Sequence, residues 1–190
     1  PIDLAHPLQA QSPYSATKIG ADKLVESYAR SFDMDAVVLR PFNTFGPRQS
    51  FRAVIPTIIG QALRGDAITL GNLDAVRDFT FVLDTCHGFV RALEAELPRP
   101  TTVHLGTGVA VTVRELVATI GRLLGRTLAV GTDAGRVRPP ASEVDVLLSD
   151  PSCAEERLGW RPTVSLEEGL RRTIALMQER GLVGGERYHV

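Results

Sequence analysis

Apolar positions near the start of the chain follow first a helical and then a strand pattern. Between residues 13 and 32 they recur at intervals of four to five, which predicts an amphipathic helix ending near Phe32. Ser12 stands where a side chain caps a helix, and Pro13 fits the first helical position. After a short turn, residues 36–39 form a continuous apolar run, typical of a parallel strand covered on both faces.

The rest of the chain continues the alternation of helix and strand, which predicts an α/β fold. Residues 40–52 and 126–150 have the mixed composition of loops. Asp84 is expected to cap a helix, and Thr112 another. The patterns predict helices over 54–63, 85–95, 113–124, 151–158 and 166–180, with short strands over 67–70 and 102–105.

Only the runs 36–39 and 102–105 have the pattern of strands from one parallel sheet, and two strands do not form a stable sheet alone. The chain has no initiator methionine, and no GxxGxxG loop for a dinucleotide phosphate follows any strand. We therefore expect a piece of a longer protein, with part of a Rossmann-like parallel sheet missing. The strand at 36–39 would then have an uncovered apolar edge.

Composition excludes several classes of partner. Of 190 residues, 44% are hydrophobic and 23% charged, as in ordinary globular domains, and the net charge of −1 argues against nucleic acid as a partner. Apolar runs are too short to span a membrane, and no signal-peptide pattern opens the chain. Cys86 and Cys153 have no metal-ligand spacing and are expected to be buried thiols in a cytoplasmic protein without a metal site.

Tyr14 and Lys18 are the first candidates for chemistry. Four residues apart on a helix, their side chains share one face. A free phenol has a pKa near 10 and is a poor base at neutral pH, but a neighbouring ammonium group lowers that pKa. Such a phenol can take a proton from a sugar hydroxyl. The alternative is a tyrosine that only packs, because this spacing is common in helices.

A second segment strengthens the catalytic interpretation. Residues 40–48, RPFNTFGPR, leave the end of the first strand, where ligands bind in open α/β sheets. Together with YSATK, AVIP, RDF and LGWRP, this segment resembles the extended short-chain dehydrogenase/reductase family of NAD-dependent nucleotide-sugar epimerases and dehydratases. QSPYSATKIGADKL and PFNTFGPRQSFRAVIPTII are most similar to 4,6-dehydratases acting on UDP-N-acetylhexosamines.

The resemblance implies a domain organisation. Residues 1–50 would be the remnant of the dinucleotide-binding Rossmann domain, with a further Rossmann strand near 76–106. Residues 51–75 and 107–190 would mainly form a small α+β domain that binds the nucleotide-sugar. The family also implies a homodimer, formed through the helix at 12–32.

The resemblance further implies roles for single residues near the cofactor. Tyr14 would be the base at the sugar 4-hydroxyl while NAD is reduced. Lys18 would bind the nicotinamide ribose and tune Tyr14. The backbone at Pro41 would approach the nicotinamide.

A second group of residues would hold the nucleotide-sugar. Asn43 would contact the diphosphate, and residues 52–56, beginning Arg52-Ala53-Val54, would line the pocket for the base. Arg77 and Arg138 would bind the diphosphate, since arginine offers forked, charge-assisted hydrogen bonds to phosphate. Each arginine has an alternative: Arg77 in a surface ion pair with Asp74 or Asp78, and Arg138 in an irregular loop without a ligand. Arg48 is a further candidate anion contact.

The sequence leaves several functions open. We expect a 4,6-dehydratase, which oxidises C4, loses water across C5 and C6 and is reduced at C6. The nearest alternative is a UDP-sugar 4-epimerase, because the family's Ser/Thr and Asp-Glu residues that separate the two reactions would lie before Pro1. A non-catalytic fragment that binds nucleotide-sugars, or a partial reading frame, would be of another class.

Overall fold

The computed structural model describes residues 1–133 and 144–182, and these form an α/β fold. Its helices are α1 (Pro13–Phe32), α2 (Val54–Arg64), α3 (Val82–Glu94), α4 (Val113–Leu124), α5 (Ser152–Leu158) and α6 (Leu166–Glu179). Its strands are β1 (Val37–Pro41), β2 (Asn43–Phe45), β3 (Ala67–Leu70), β4 (Val76–Arg77), β5 (Phe79–Phe81), β6 (Thr101–Leu105), β7 (Val111–Thr112), β8 (Ala129–Thr132) and β9 (Val146–Leu147).

Helix α1 begins as predicted. The amide of Ser15 donates to Oγ of Ser12, and the amide of Ser12 donates back to Oγ of Ser15. This reciprocal capping satisfies backbone donors that a helix start leaves unpaired. The helix ends at Asp33, whose left-handed φ of 52° breaks the helical repeat.

The two predicted strands of one parallel sheet do pair. β1 runs parallel to β6, with Val37 opposite Thr101 and Pro41 opposite Leu105. Beyond Phe42, β2 pairs in parallel with β5 instead. β3 pairs with β8, and β4 lies between β7 and β9.

Three strands lie where the sequence predicted only loops. β2 forms inside the predicted loop 40–52 because Phe45 is buried against the rings of Phe79 and Phe81, with centroids 6.3 and 5.7 Å apart. β8 and β9 form inside the predicted irregular region 126–150 because each has a partner strand far away in sequence. Such partners cannot be read from local composition.

The apolar core has two parts. The larger packs α2, α4 and α6 around β2, β3 and β5, and the smaller packs α3 and α5 against β6. In the smaller part, Trp160 is fully buried and its indole N–H donates to the carbonyl of Asp84. The predicted division between dinucleotide-binding and substrate-binding residues stays a prediction.

Two local expectations are wrong. Asp84 does not cap α3, which begins two residues earlier at Val82. Its buried carboxylate instead accepts hydrogen bonds from Oγ1 of Thr163 and the amide of Val164. Cys86 is exposed rather than buried, and Cys153 is half-buried. Among the described residues, none of the helices combines the length and the apolar character that a membrane span requires.

Candidate functional site

A cavity of about 500 Å³ opens where β1 and β6 end. We call it the tyrosine cavity. Tyr14, at the start of α1, and Pro41, at the end of β1, both line it. The rest of its lining is Ile2, Asp3, His6, Leu8, Arg40, Phe42, Asn43, His104 and Leu147.

The phenol of Tyr14 is accessible. The residue is 71% exposed, and Nζ of Lys18 lies 5.5 Å from the centroid of its ring. Lys18 is not among the residues that line the cavity, but it stands beside the one that does. The ring of Tyr14 is therefore not packed within the described residues, although Leu24 and Phe32 on the same helix are also exposed.

Helix α1 is tied to the sheet beneath this cavity. Nε of Arg40 on β1 donates to Oδ2 of Asp22 on α1 at 2.8 Å, and about a quarter of each side chain is exposed. The other side of the guanidinium faces His104, with 3.5 Å between Nη1 and Nε2. Burial lowers the pKa of His104, and its Nδ1 lies 3.3 Å from the carbonyl oxygen of Ile2.

A second cavity, of about 330 Å³, lies between α2 and the strands β2, β4 and β5. We call it the arginine cavity. Most of the predicted substrate-binding residues line it: Asn43, Arg52, Ala53, Val54, Ile55 and Arg77, but not Pro56. Its wall also contains residues that sequence reasoning missed, among them Gln49, Asn72 and Thr57. Gln49 and Asn72 could have been suspected as polar residues beside loop motifs, whereas Thr57 lies within a helix and gives no such signal.

The surroundings of Arg77 bear on its alternative role as a surface ion-pair partner. Nη1 of Arg77 donates to the carbonyl of Val76 at 2.9 Å. Asp74 is engaged by Arg114, with 2.8 Å between Oδ1 and Nη2. Asp78 is fully buried and accepts hydrogen bonds from neutral groups. The two aspartates proposed as alternative partners therefore bind other groups.

Asn43 is the residue that the two cavities share. It opens β2 opposite Phe79, and its Nδ2 donates to the carbonyl of Asp78 at 3.1 Å. Tyr14 and Pro41 lie on one side of it and Arg52 and Arg77 on the other. As a wall residue of both cavities, Asn43 makes the two groups of predicted residues neighbours.

The two remaining candidate arginines differ in what the structure describes. Arg48 is exposed, has a left-handed φ of 69° and lines neither cavity. Arg138 lies outside the described residues.

Comparison with known proteins connects this site to a family. The family model of GDP-mannose 4,6-dehydratase matches residues 1–173. A UDP-glucose 4-epimerase of Mycolicibacterium smegmatis is 30% identical over 179 residues, which are 92% of this chain and 55% of the relative. A dTDP-glucose 4,6-dehydratase of an Actinoplanes species is 32% identical over 175 residues, 90% of this chain and 52% of the relative. The chain thus spans about half the length of the curated relatives it matches.

Solved structures agree with these relatives in fold. Pal from Bacillus thuringiensis superposes with a TM-score of 0.85 at 29% identity, over 94% of this chain and 57% of that one. The UDP-glucuronic acid 4-epimerase of Bacillus cereus, solved with UDP-glucuronic acid and NAD, gives a TM-score of 0.86 at 25% identity, over 94% of this chain and 56% of that one.

Proposed function

Because the chain belongs to the GDP-mannose 4,6-dehydratase family of NAD-dependent nucleotide-sugar epimerases and dehydratases, we propose that the whole protein is a nucleotide-sugar 4,6-dehydratase. It would oxidise the sugar at C4, eliminate water across C5 and C6, and return the reducing equivalent to C6. The observation that carries the proposal is that Asn43 lines both cavities. A molecule bound along Asn43 would then contact the phenol of Tyr14 and a pair of arginines.

The tyrosine cavity fits the reacting end of such a site. An exposed phenol, an ammonium group within 5.5 Å of its ring and the backbone at Pro41 offer the donors and the base that a nicotinamide ribose and a sugar hydroxyl need. When bound, NAD supplies the oxidant for C4. Tyr14 removes the proton of the 4-hydroxyl, and Lys18 holds the ribose hydroxyls beside it.

The arginine cavity fits the nucleotide end. A volume of about 330 Å³ is at the small end of ordinary ligand pockets, so this cavity fits part of a nucleotide-sugar rather than the whole ligand. Arg77 and Arg52 supply charge for a diphosphate, with Asn43 between them and the sugar. Ala53 and Val54 offer apolar contacts to the base. A UDP-sugar is the substrate class that we propose.

A direct test measures the product. The whole protein is incubated with NAD⁺ and UDP-N-acetylglucosamine, and the product is analysed by mass spectrometry and NMR. Dehydration gives a 4-keto-6-deoxy sugar that is lighter by one water. Recovery of unchanged substrate, from protein that binds UDP, would leave a binding function and refute the catalytic one.

The second candidate, a UDP-sugar 4-epimerase, is favoured by the relative from Mycolicibacterium smegmatis and by the Bacillus cereus structure. Both reactions begin with oxidation at C4 and use the same phenol. They differ in product, because the epimerase returns the substrate's mass with C4 inverted. The experiment above therefore decides between them.

A further inference from the structure

Asp78, between β4 and β5, is a fully buried carboxylate whose partners come from two distant segments. From the loop after β6, the amide and hydroxyl of Thr107 donate to Oδ1 at 2.9 and 2.6 Å, and the amide of Gly108 donates to Oδ2 at 2.9 Å. From the segment after β9, the amide and hydroxyl of Ser149 donate to Oδ2.

All of these donors are neutral, so hydrogen bonds alone, without a cation, stabilise the carboxylate. A buried carboxylate is strongly unfavourable unless hydrogen bonds replace its lost hydration. Three backbone amides and two hydroxyls do so here. If the loop after β6 or the segment after β9 moved, the buried charge would lose hydrogen bonds. The two segments are therefore held in one position relative to Asp78.

The backbone of Asp78 reaches both cavities. Its amide donates to the carbonyl of Leu147, which lines the tyrosine cavity, at 3.0 Å. Its carbonyl accepts from Nδ2 of Asn43, the residue that both cavities share. The residue before it is Arg77, on the wall of the arginine cavity. Whatever fixes Asp78 therefore also fixes the relative placement of the two cavities.

We propose that Asp78 is a positioning residue, whose carboxylate holds Asn43 and Arg77 at the spacing that one nucleotide-sugar requires. This role rests on the proposed function, because it assumes that one ligand spans both cavities. Asp78 itself touches no ligand in this proposal. It acts through the two side chains that do.

The test changes the donors rather than the acid. Asp78→Asn would set an amide against backbone donors and is expected to disrupt folding. Thr107→Val removes, at nearly constant volume, the hydroxyl that donates to Asp78 and accepts from the amide of Val109, and Thr107→Ser restores it. Thr163→Val is the control, since it removes a hydroxyl donor from Asp84, a second buried carboxylate held by neutral groups, and Thr163 lines neither cavity.

Binding of UDP to each purified variant is measured by calorimetry. Because small displacements of positioned groups have large effects, Thr107→Val is expected to raise the Kd on the order of tenfold. Thr107→Ser and Thr163→Val should keep the Kd of the unaltered chain, although Thr163→Val should lose as much thermal stability as Thr107→Val. Equal Kd values for the two valine variants would overturn the positioning role.

A second measurement does not depend on a ligand. In ¹H–¹⁵N NMR spectra, Thr107→Val should shift the side-chain amide signals of Asn43 and the backbone amide of Arg77, and Thr163→Val should leave both in place. If the unaltered chain does not bind UDP, the nucleotide site is refuted, yet these signals still decide the positioning role. Unmoved signals in Thr107→Val would refute it separately.

Discussion

Gly169 on α6 allows the helix to approach the strand that begins at Asn43. A Cβ atom at this position would lie 2.6 Å from Cζ of Phe45 and 2.8 Å from Cδ2 of Phe81. Both rings are almost fully buried and pack edge to face on each other, 5.7 Å between centroids. Neither ring can move aside without disturbing the other. Gly169→Ala is therefore expected to destabilise the fold.

Two opposing effects determine the magnitude. Alanine in place of glycine favours a helix by about 1 kcal/mol. Overpacking a full core costs roughly 1–3 kcal/mol, and contacts as short as 2.6 and 2.8 Å indicate the upper end. The net loss in the free energy of unfolding is thus about 2 kcal/mol. For a chain of this size, that lowers Tm by roughly 4–8 °C.

Gly20 provides the matched control. It lies inside α1, is exposed, and a Cβ there would meet nothing within 4 Å. Gly20→Ala should therefore show the helix preference alone, a gain of about 1 kcal/mol. Calorimetry and urea unfolding measure both variants. Opposite signs are expected, and a Gly169→Ala variant as stable as the unaltered chain would refute the claim that the Phe45–Phe81 pair is rigid.

Three further predictions concern the site. Tyr14→Phe should reduce turnover by the whole protein by roughly 10²–10⁴-fold and leave UDP binding and Tm unchanged, because the residue is 71% exposed; normal turnover would exclude Tyr14 as the base. Arg77→Gln should raise the Kd for UDP at least about tenfold, since hydrogen bonds to charged groups contribute about 1.5–3 kcal/mol; an unchanged Kd in calorimetry would remove Arg77 from the site. Burial lowers the pKa of His104 below its ordinary value of about 6.5, so as the pH falls the unfolded chain takes up this proton before the folded chain does. The free energy of unfolding is therefore unaffected by this group above about pH 6.5 and declines as the pH falls. His104→Gln should weaken that decline in urea titrations and the exposed His87→Gln should not; equal slopes would contradict the assignment.

The parts predictable from sequence are those with local physical causes. Helix α1 could be predicted from its apolar spacing and from Ser12, whose hydroxyl caps the helix by accepting from the amide of Ser15 three residues later. β2 was missed because Phe45 finds its partner rings more than 30 residues away, in a segment whose composition indicates a loop. The RDF motif includes Asp78, but nothing nearby indicates that Thr107 and Ser149 supply its donors. Long-range partners of this kind leave no periodic signal.

The topology explains why one short segment supplies residues to both cavities. β1 pairs with β6 up to Pro41, and β2 pairs with β5 from Asn43 onward, so the chain changes partner strand at Phe42 alone. The amide of Phe42 still donates to the carbonyl of Leu105, the last residue of β6. Ligands of open α/β folds bind where neighbouring strands diverge, because a crevice opens there. Pro41 therefore faces one cavity and Asn43 reaches both, and an insertion at Phe42 is expected to separate the phenol from the arginines more effectively than any change of a single side chain.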